Sequence, residues 1–370
     1  MDITDIKAEN VKQILNHLRF SSGLTKRELA DMTGLSFSTV SNLCNELKDS
    51  QVLNEEKSSG YAVGRTPNRL MFRREQYGSL CVDLHQEHIL NFTVLDFSNR
   101  RLYQDCQNIS SLTRVEQVVS LIGEQYWMLR TDPRFSGIQF IGLGVSVPAI
   151  YDPTTRNVVN STFRLFDNVP LRDMLLQQIP LPCYVDNEAN LCVLSMSQSH
   201  AERRNIVYLH SSSGLGVGVV CDGHLLQGDN GYAGEVAHIP LGDPQLRCPF
   251  CGNLGCIEND LSQRGMDILH FPALDEREKQ RLLQDRGRKL GELLSILANL
   301  FDPAVIYLGG SALETYDTML PYVMHALHQR SGMVLARGLS VLHDTDSLTT
   351  IAQGINQVIY EKWNPLEQKQ

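Results

Sequence analysis

The sequence predicts an α/β body made of two similar lobes, preceded by a small helical domain with a two-stranded appendage. Three observations predict it. From Gly78 onward, strand-like and helix-like runs alternate and pass twice through a similar order. Residues 8–47 carry only helical patterns, punctuated by capping residues and one glycine. Charge divides at the same place: residues 1–76 hold 11 Lys and Arg against 10 Asp and Glu, and the remainder 22 against 32. The whole chain stands at −9, so attraction for phosphate can come only from the first segment.

Taken in order, "AENVKQILNHLRFSSGL" (8–24) places Val11, Ile14, Leu15 and Leu18 on one helical face. Next comes "TKRELADMTGLSFSTVSNLCNEL". Thr25 with Glu28 three residues on is a capping-box pattern, Gly34 ends that helix, and Ser36 caps another whose Val40, Leu43 and Leu47 point inward. This is a helix-turn-helix pattern. The last helix exposes Ser36, Ser38, Thr39, Ser41, Asn42 and Asn45, hydroxyls and amides suited to base edges and phosphates in a major groove. An ordinary three-helix bundle would show more Glu and Lys there. "VLNEEKSSGYAVGRTPNRLMF" then reads as two strands around a polar tip, a wing. In "Gly64-Arg65-Thr66-Pro67", Arg65 can lie in a narrow minor groove, or the stretch can be a plain linker.

The body opens with three strand-like runs, "SLCVDL", "ILNFTVLDF" and "RLYQDCQNI". A helical segment (114–130), strand "IGLGVSV", helix "PLRDMLLQQI" and strand "CYVDNE" follow. The second cycle runs "NIVYLHSS", "GLGVGVVCDG", "HLLQG", a long helix (roughly 275–300), strand "VIYLGGS", a helix (313–330), strand "LSVLHD" and a final helix (350–362). Two βββαβα-like cycles indicate a duplicated ribonuclease-H-like fold, the actin/hexokinase architecture, behind a winged helix-turn-helix. The expected domains are 1–76, 77–190 with helix 350–370 packing back on it, and 191–349.

Nine cysteines, an odd number spread along the chain, argue against a disulfide framework. The longest apolar run (141–150) is about half the roughly 20 residues of a membrane span. "MDITDIKAEN" has neither a basic nor an apolar leader region. A cytoplasmic protein without membrane insertion is expected.

Three thiols fall within nine positions of "RCPFCGNLGCIEND" (247–260): Cys248, Cys251 and Cys256, with Gly252 and Gly255 between them. Short spacing with glycines suits a knuckle around a tetrahedral ion, and His238 in "GEVAHIPLG" is the nearest upstream candidate for a fourth ligand of a structural Zn2+. A chance cluster of buried thiols, or a redox Cys-x-x-Cys, are the competing readings.

"GEVAH" followed by "CPFCGNLGCIE" resembles the ROK family (repressors, open reading frames, sugar kinases), whose signature is E-x-G-H and then C-x-C-G-x-x-G-C-x-E. Ala237 stands where the family has Gly, and the first Cys is one residue early. "GRTPNRL" resembles the linker of ROK repressors. By this resemblance Asn187, Glu188, Glu235, His238 and Glu258 face a sugar, with the knuckle pinning their loops. Glu188 stands where ROK kinases have the catalytic Asp of N-D-A-N. The family's first phosphate turn, D-x-G-G-T, is here Asp83-Leu-His-Gln-Glu-His88, without glycine and with Glu87 where phosphate would sit. "SSGLGVG" (212–218) resembles the second phosphate turn, though its glycines also suit a tight hairpin. "LGGS" (308–311) matches the adenosine-side turn. The resemblance thus implies a regulator of carbohydrate metabolism, of the repressor type, with operator DNA and a sugar or sugar-phosphate effector as partners, acting as a homodimer or homotetramer. An active sugar kinase, or a repressor controlled by a protein partner, are the alternatives.

Overall fold

The computed structural model describes residues 3–57, 68–86, 88–200, 202–313 and 315–367. The amino-terminal domain follows its capping signals. After α1 (Ile3–Arg19), Thr25 caps α2 (Lys26–Thr33): its hydroxyl accepts from the Glu28 amide at 3.2 Å and the Glu28 carboxylate accepts from the Thr25 amide at 2.7 Å. Gly34 closes α2 in the left-handed conformation, φ 72°. Ser36 then caps α3 (Phe37–Asp49), whose Val40, Leu43 and Leu47 are buried. β1 (Leu53–Lys57) and β2 (Asn68–Phe72) pair antiparallel as the wing. The wing tip, with Arg65, lies outside the described residues.

The first lobe contains β3 (Tyr77–Asp83), β4 (Ile89–Asp96), β5 (Arg101–Asn108), α4 (Val115–Thr131), β6 (Gln139–Val147), the small β7 (Ile150–Tyr151) and β8 (Val158–Val159) hairpin, α5 (Leu171–Leu176) and β9 (Cys183–Asn187). Its sheet has the order β5-β4-β3-β6-β9: three strands antiparallel, then two parallel. α6 (Glu188–Ser199) follows without a break.

The second lobe contains β10 (Ile206–Ser211), β11 (Leu215–Cys221), β12 (His224–Leu225), the short α7 (Glu258–Leu261) and α8 (Gln263–Ile268), α9 (Glu276–Phe301), β13 (Val305–Gly309), α10 (Tyr316–Ala336) and β14 (Ser340–His343). Its sheet, β12-β11-β10-β13-β14, repeats the pattern of three antiparallel and two parallel strands. The duplication expected from the sequence is therefore present strand for strand. No helix among the described residues is long and apolar enough to cross a membrane.

The final helix, α11 (Ser347–Lys362), leaves the second lobe and packs on α6, β3 and β6. Close approach is built in: a Cβ on Gly354 would stand 2.0 Å from the Leu191 carbonyl oxygen of α6. One continuous apolar core runs from Val11, Leu15 and Leu47 of the amino-terminal domain through Tyr77 and Phe97 to Ile355, Tyr360 and Trp363. Polar groups fasten the same seam. Arg19, fully buried, donates from Nε to the Phe97 carbonyl (2.7 Å) and from Nη1 to Gln357 Oε1 (2.6 Å), and lies 4.0 Å over the Tyr360 ring. Lys12 donates to the Tyr360 and Trp363 carbonyls, and the Tyr360 hydroxyl donates to Asn16 Oδ1 at 2.9 Å. Arg74 donates to the Arg19 carbonyl and Arg73 to Asn54, so these two arginines serve the fold rather than a free linker.

Candidate functional site

A cleft of about 1180 Å³ is walled by both lobes. Asn187, Glu188, Glu235, His238 and Glu258, set apart by up to 71 positions in the chain, all line it. Helix termini and glycines place them. Asn187 Oδ1 accepts from the Asn190 amide (2.8 Å) and so caps α6, which puts Glu188 in its first turn. α6 can lie on β11 because Gly218 has no side chain: a Cβ there would stand 2.2 Å from the Ala189 carbonyl oxygen. Glu258 opens α7 and faces the hairpin tip at Gly214, where a Cβ would meet Glu258 Oε1 at 3.3 Å. Ser212–Gly214 form that tip, joining β10 to β11, with the Ser212 amide donating to the Gly214 carbonyl at 2.9 Å. The glycines of "SSGLGVG" therefore serve a hairpin and the seat of α6.

Burial dominates the electrostatics. It raises the pKa of Glu188 to about 8, with the Asp83 charge adding to the effect. It raises Glu235 and Glu258 to about 7, Glu235 being raised further by Glu258. Near neutral pH these carboxyls hold protons part of the time and can both donate to and accept from a ligand.

The turn after β3 holds a different group from a phosphate loop. Asp83 and His85 are both buried, and His85 Nδ1 pairs with Asp83 Oδ2. The His85 amide donates to Asp83 Oδ1 at 3.2 Å. The His85 ring meets the buried His210 ring of β10 edge-on, centroids 6.3 Å apart. Imidazoles thus occupy space between the lobes. Glu87 lies outside the described residues. Sequence reasoning passed over His85 as a partner of Asp83 and missed His210, because a lone His in an apolar strand carries no local signal.

The ligand atoms of His238, Cys248, Cys251 and Cys256 all lie within 4.8 Å of one another. Cys251 and Cys256 sulfurs are 3.5 Å apart, and Cys248 Sγ is 3.7 Å from His238 Nδ1. Metal–sulfur bonds of about 2.3 Å give a tetrahedral edge of about 3.8 Å, so the donor set fits a tetrahedral ion. Gly252 (φ 75°) and Gly255 (φ 80°) make the two left-handed turns that fold three thiols inward. Cys248 Sγ also lies 3.9 Å from Glu258 Oε2, so the cluster abuts the cleft. Four residues able to hold a metal are thus assembled.

On the amino-terminal domain, Ser36, Ser38 and Asn42 are exposed, and Thr39 and Ser41 half-buried. The Ser36 hydroxyl accepts from the Thr39 amide and bonds the Ser38 and Thr39 hydroxyls at 2.8 Å. Its first task is capping. Lys26 of α2 reaches Ser41 Oγ (3.1 Å) and Asn45 Oδ1 (2.9 Å), which leaves Asn42 as the exposed amide between them.

Fold and site together define a winged helix-turn-helix fused to a two-lobed body of the sugar-kinase type. The chain belongs to the ROK family, which it matches over residues 81–337, and residues 8–53 match the winged helix-turn-helix DNA-binding family. It is 25% identical to the xylose repressor of Bacillus spizizenii over 98% of both chains. It is 27% identical to the glucokinase of Halalkalibacterium halodurans over 51% of this chain and 68% of that one. Among solved structures, a ROK family transcriptional regulator homologous to the Escherichia coli Mlc protein superposes with a TM-score of 0.82 at 21% identity, over 96% of this chain and 97% of that one.

Proposed function

We propose that the protein is a sequence-specific transcriptional regulator, of the repressor type, that senses a sugar or sugar derivative in the cleft and controls genes of carbohydrate metabolism. The observation that carries this reading is the seam at α11. The helix that leans on α6, and so on Glu188, is also the helix that holds Arg19 and Lys12 of the DNA-binding domain. Gln357 Oε1 accepts from both Arg19 Nη1 and Gln198 Nε2 of α6. A ligand that favours one arrangement of the lobes thereby favours one placement of the reading helices.

In this reading α3 enters the major groove with Ser38, Thr39 and Asn42 toward the bases, Ser36 and Ser41 support it, and Arg65 reaches the adjoining minor groove. The operator is pseudo-palindromic and the protein a homodimer or homotetramer, since one small winged domain rarely supplies enough affinity alone. The domains are 1–76, 77–190 with the final helix, and 191–349, and the protein acts in the cytoplasm. The ion of the His238–Cys248–Cys251–Cys256 cluster is zinc. Four protein donors leave it no open position, so it serves structure, pinning the loops of Glu235 and Glu258.

Phosphoryl transfer is lost. The turn that by resemblance would hold phosphate carries the buried Asp83–His85 pair, packed against His210, in place of glycines, and Glu188 replaces an Asp, moving its carboxyl by roughly 1 Å, an error that can reduce turnover about 100-fold. The glucokinase relative keeps a kinase as the rival reading. Operator titration by anisotropy, on the protein's own upstream region with xylose, glucose and N-acetylglucosamine, tests the proposal. An ADP-release assay on the same sugars runs beside it. One sugar should change operator affinity without ADP release. Turnover on any of them would establish the kinase. Operator binding that no sugar alters would favour control by a protein partner.

A further inference from the structure

In the reading above His210 serves only to fill space near the Asp83–His85 pair, yet it is the most anomalous polar group of the cleft. It sits on the central β10 strand and is 4% exposed. Neither ring nitrogen has a hydrogen-bond partner among the described residues. A buried polar atom left unpaired costs about 1–3 kcal/mol. Such a group calls for a partner outside the chain, an ordered water or a ligand. The side chain lines the same cleft as Glu188, Glu235 and Glu258.

We propose that His210 is a ligand contact, hydrogen-bonding a hydroxyl of an unphosphorylated sugar bound in the cleft beside Glu188. This rests on the reading of the cleft as the sugar site and narrows its ligand to a neutral polyhydroxylated molecule. The geometry is the first reason. His210 stands edge-on against His85, which Asp83 engages, and among the described residues it makes no hydrogen bond to that carboxylate or to any other group. A neutral imidazole offers one donor and one acceptor on opposite edges of the ring, and two neighbouring hydroxyls of a polyol, one accepting and one donating, can satisfy both. A phosphate oxygen offers only acceptors and leaves one ring nitrogen unpaired. Charge is the second reason. Burial, then the neighbouring His85, pushes the His210 pKa down to about 3, so the ring is neutral at physiological pH and gives an anion no charge to pair with. Arg164 and Arg264 also line the cleft. Arg264 is stacked on the Phe250 ring at 4.4 Å with Nη2 3.4 Å from the Thr162 carbonyl. A sugar phosphate is therefore the competing ligand that the test must include.

The test uses the full-length protein and calorimetric titration with xylose, glucose, N-acetylglucosamine and glucose 6-phosphate. Three chains are compared: wild type, His210→Gln, which keeps one donor and one acceptor, and His210→Leu, which keeps neither. A neutral sugar should bind wild type, bind His210→Gln within about threefold, and bind His210→Leu about tenfold more weakly, as expected for one lost hydrogen-bonded contact. Nitrogen NMR of the histidine rings supplies a second readout that needs no folded variant other than His210→Gln for assignment. The His210 ring nitrogens should shift on adding the neutral sugar. Equal sugar affinity in wild type and His210→Leu, or ring nitrogens indifferent to a bound sugar, would overturn the His210 assignment and leave the sugar site standing. Binding of glucose 6-phosphate alone would overturn the neutral class. If none of the four binds wild type, the sugar reading of the cleft fails and this inference with it.

Discussion

Removing Arg19 should loosen the DNA-binding domain from the body, and the size of the effect can be worked from its contacts. Arg19→Ala deletes two charged hydrogen bonds, to the Phe97 carbonyl and to Gln357, each about 1.5–3 kcal/mol. It also deletes the stack on Tyr360, about 2 kcal/mol for a desolvated cation on a ring. Burial works against the charge: it pulls the guanidinium pKa down from 12.5 to about 10, worth about 3.5 kcal/mol in the opposite direction at about 1.4 kcal/mol per unit. The net loss is about 1.5–4.5 kcal/mol. An unfolding entropy of about 2.1 cal/mol/K per residue over 370 residues converts this to a melting midpoint lower by roughly 2–6 °C, if the shared core unfolds as one unit. Calorimetry on the full chain reads the midpoint. Operator titration with and without the active sugar reads the coupling, which should shrink even where DNA affinity is kept. Arg19→Met, of similar reach and no charge, should recover part of the midpoint and none of the coupling, because buried ion contacts are replaceable in stability more readily than in geometry. An Arg19→Ala chain that melts with the wild type and still answers the sugar would refute the seam as the route between the two domains.

The same reasoning extends to other positions. Gly354→Ala must push α11 from the Leu191 carbonyl, and overpacking of this kind destabilises by about 1–3 kcal/mol; because α6 carries Glu188, sugar affinity in the titration should fall as well. Glu188 is an acid whose pKa in the folded chain is raised from 4.5 to about 8, so its contribution is full below pH ~4.5 and is lost as pH rises toward 8. Glu188→Gln should match wild type in denaturant midpoint near pH 4.5 and exceed it at pH 8, with Asp83, His85 and Glu235 facing the same group; a constant difference at all pH values would contradict the burial argument. Cys251→Ser should lower the zinc content measured on purified protein and raise amide exchange across 238–258, since the donors hold those loops. Asn42→Ala should relax base discrimination at one position of each operator half-site by about 1–3 kcal/mol, checked by anisotropy on substituted sites.

The sequence was most legible where chemistry is local. The boundary from Thr25 to Ser36 could be read because a capping box, a left-handed glycine and a serine cap each act within four residues. The clustering of Cys248, Cys251 and Cys256 was legible for the same reason. α6 was not. "EANLCVLSMSQS" opens with six consecutive buried residues, Glu188–Val193, pressed between β11 and α11, so it carries no amphipathic stripe. The first helix was expected over 8–24 and ends at Arg19, because Leu24 instead bridges to Leu70 of the wing. The pairing of His85 with Asp83, the nearness of His210, and the Arg19–Gln357 contact share another cause. Each depends on strands or helices brought together by the whole fold, which single-sequence patterns do not encode.

The seam at α11 also sets a timetable for biosynthesis. Arg19 and Gln357 are 338 positions apart. At about 5–20 residues per second, roughly 20–70 s of translation separate them. For that interval the helix-turn-helix has left the ribosome with its own capping signals satisfied, while Arg19, Lys12 and the apolar face around Leu15 still wait for their cover. A message cut short before the codons of α11 would yield a reading head with a bare greasy flank and no tie to the cleft, a polypeptide for proteases and chaperones rather than for an operator.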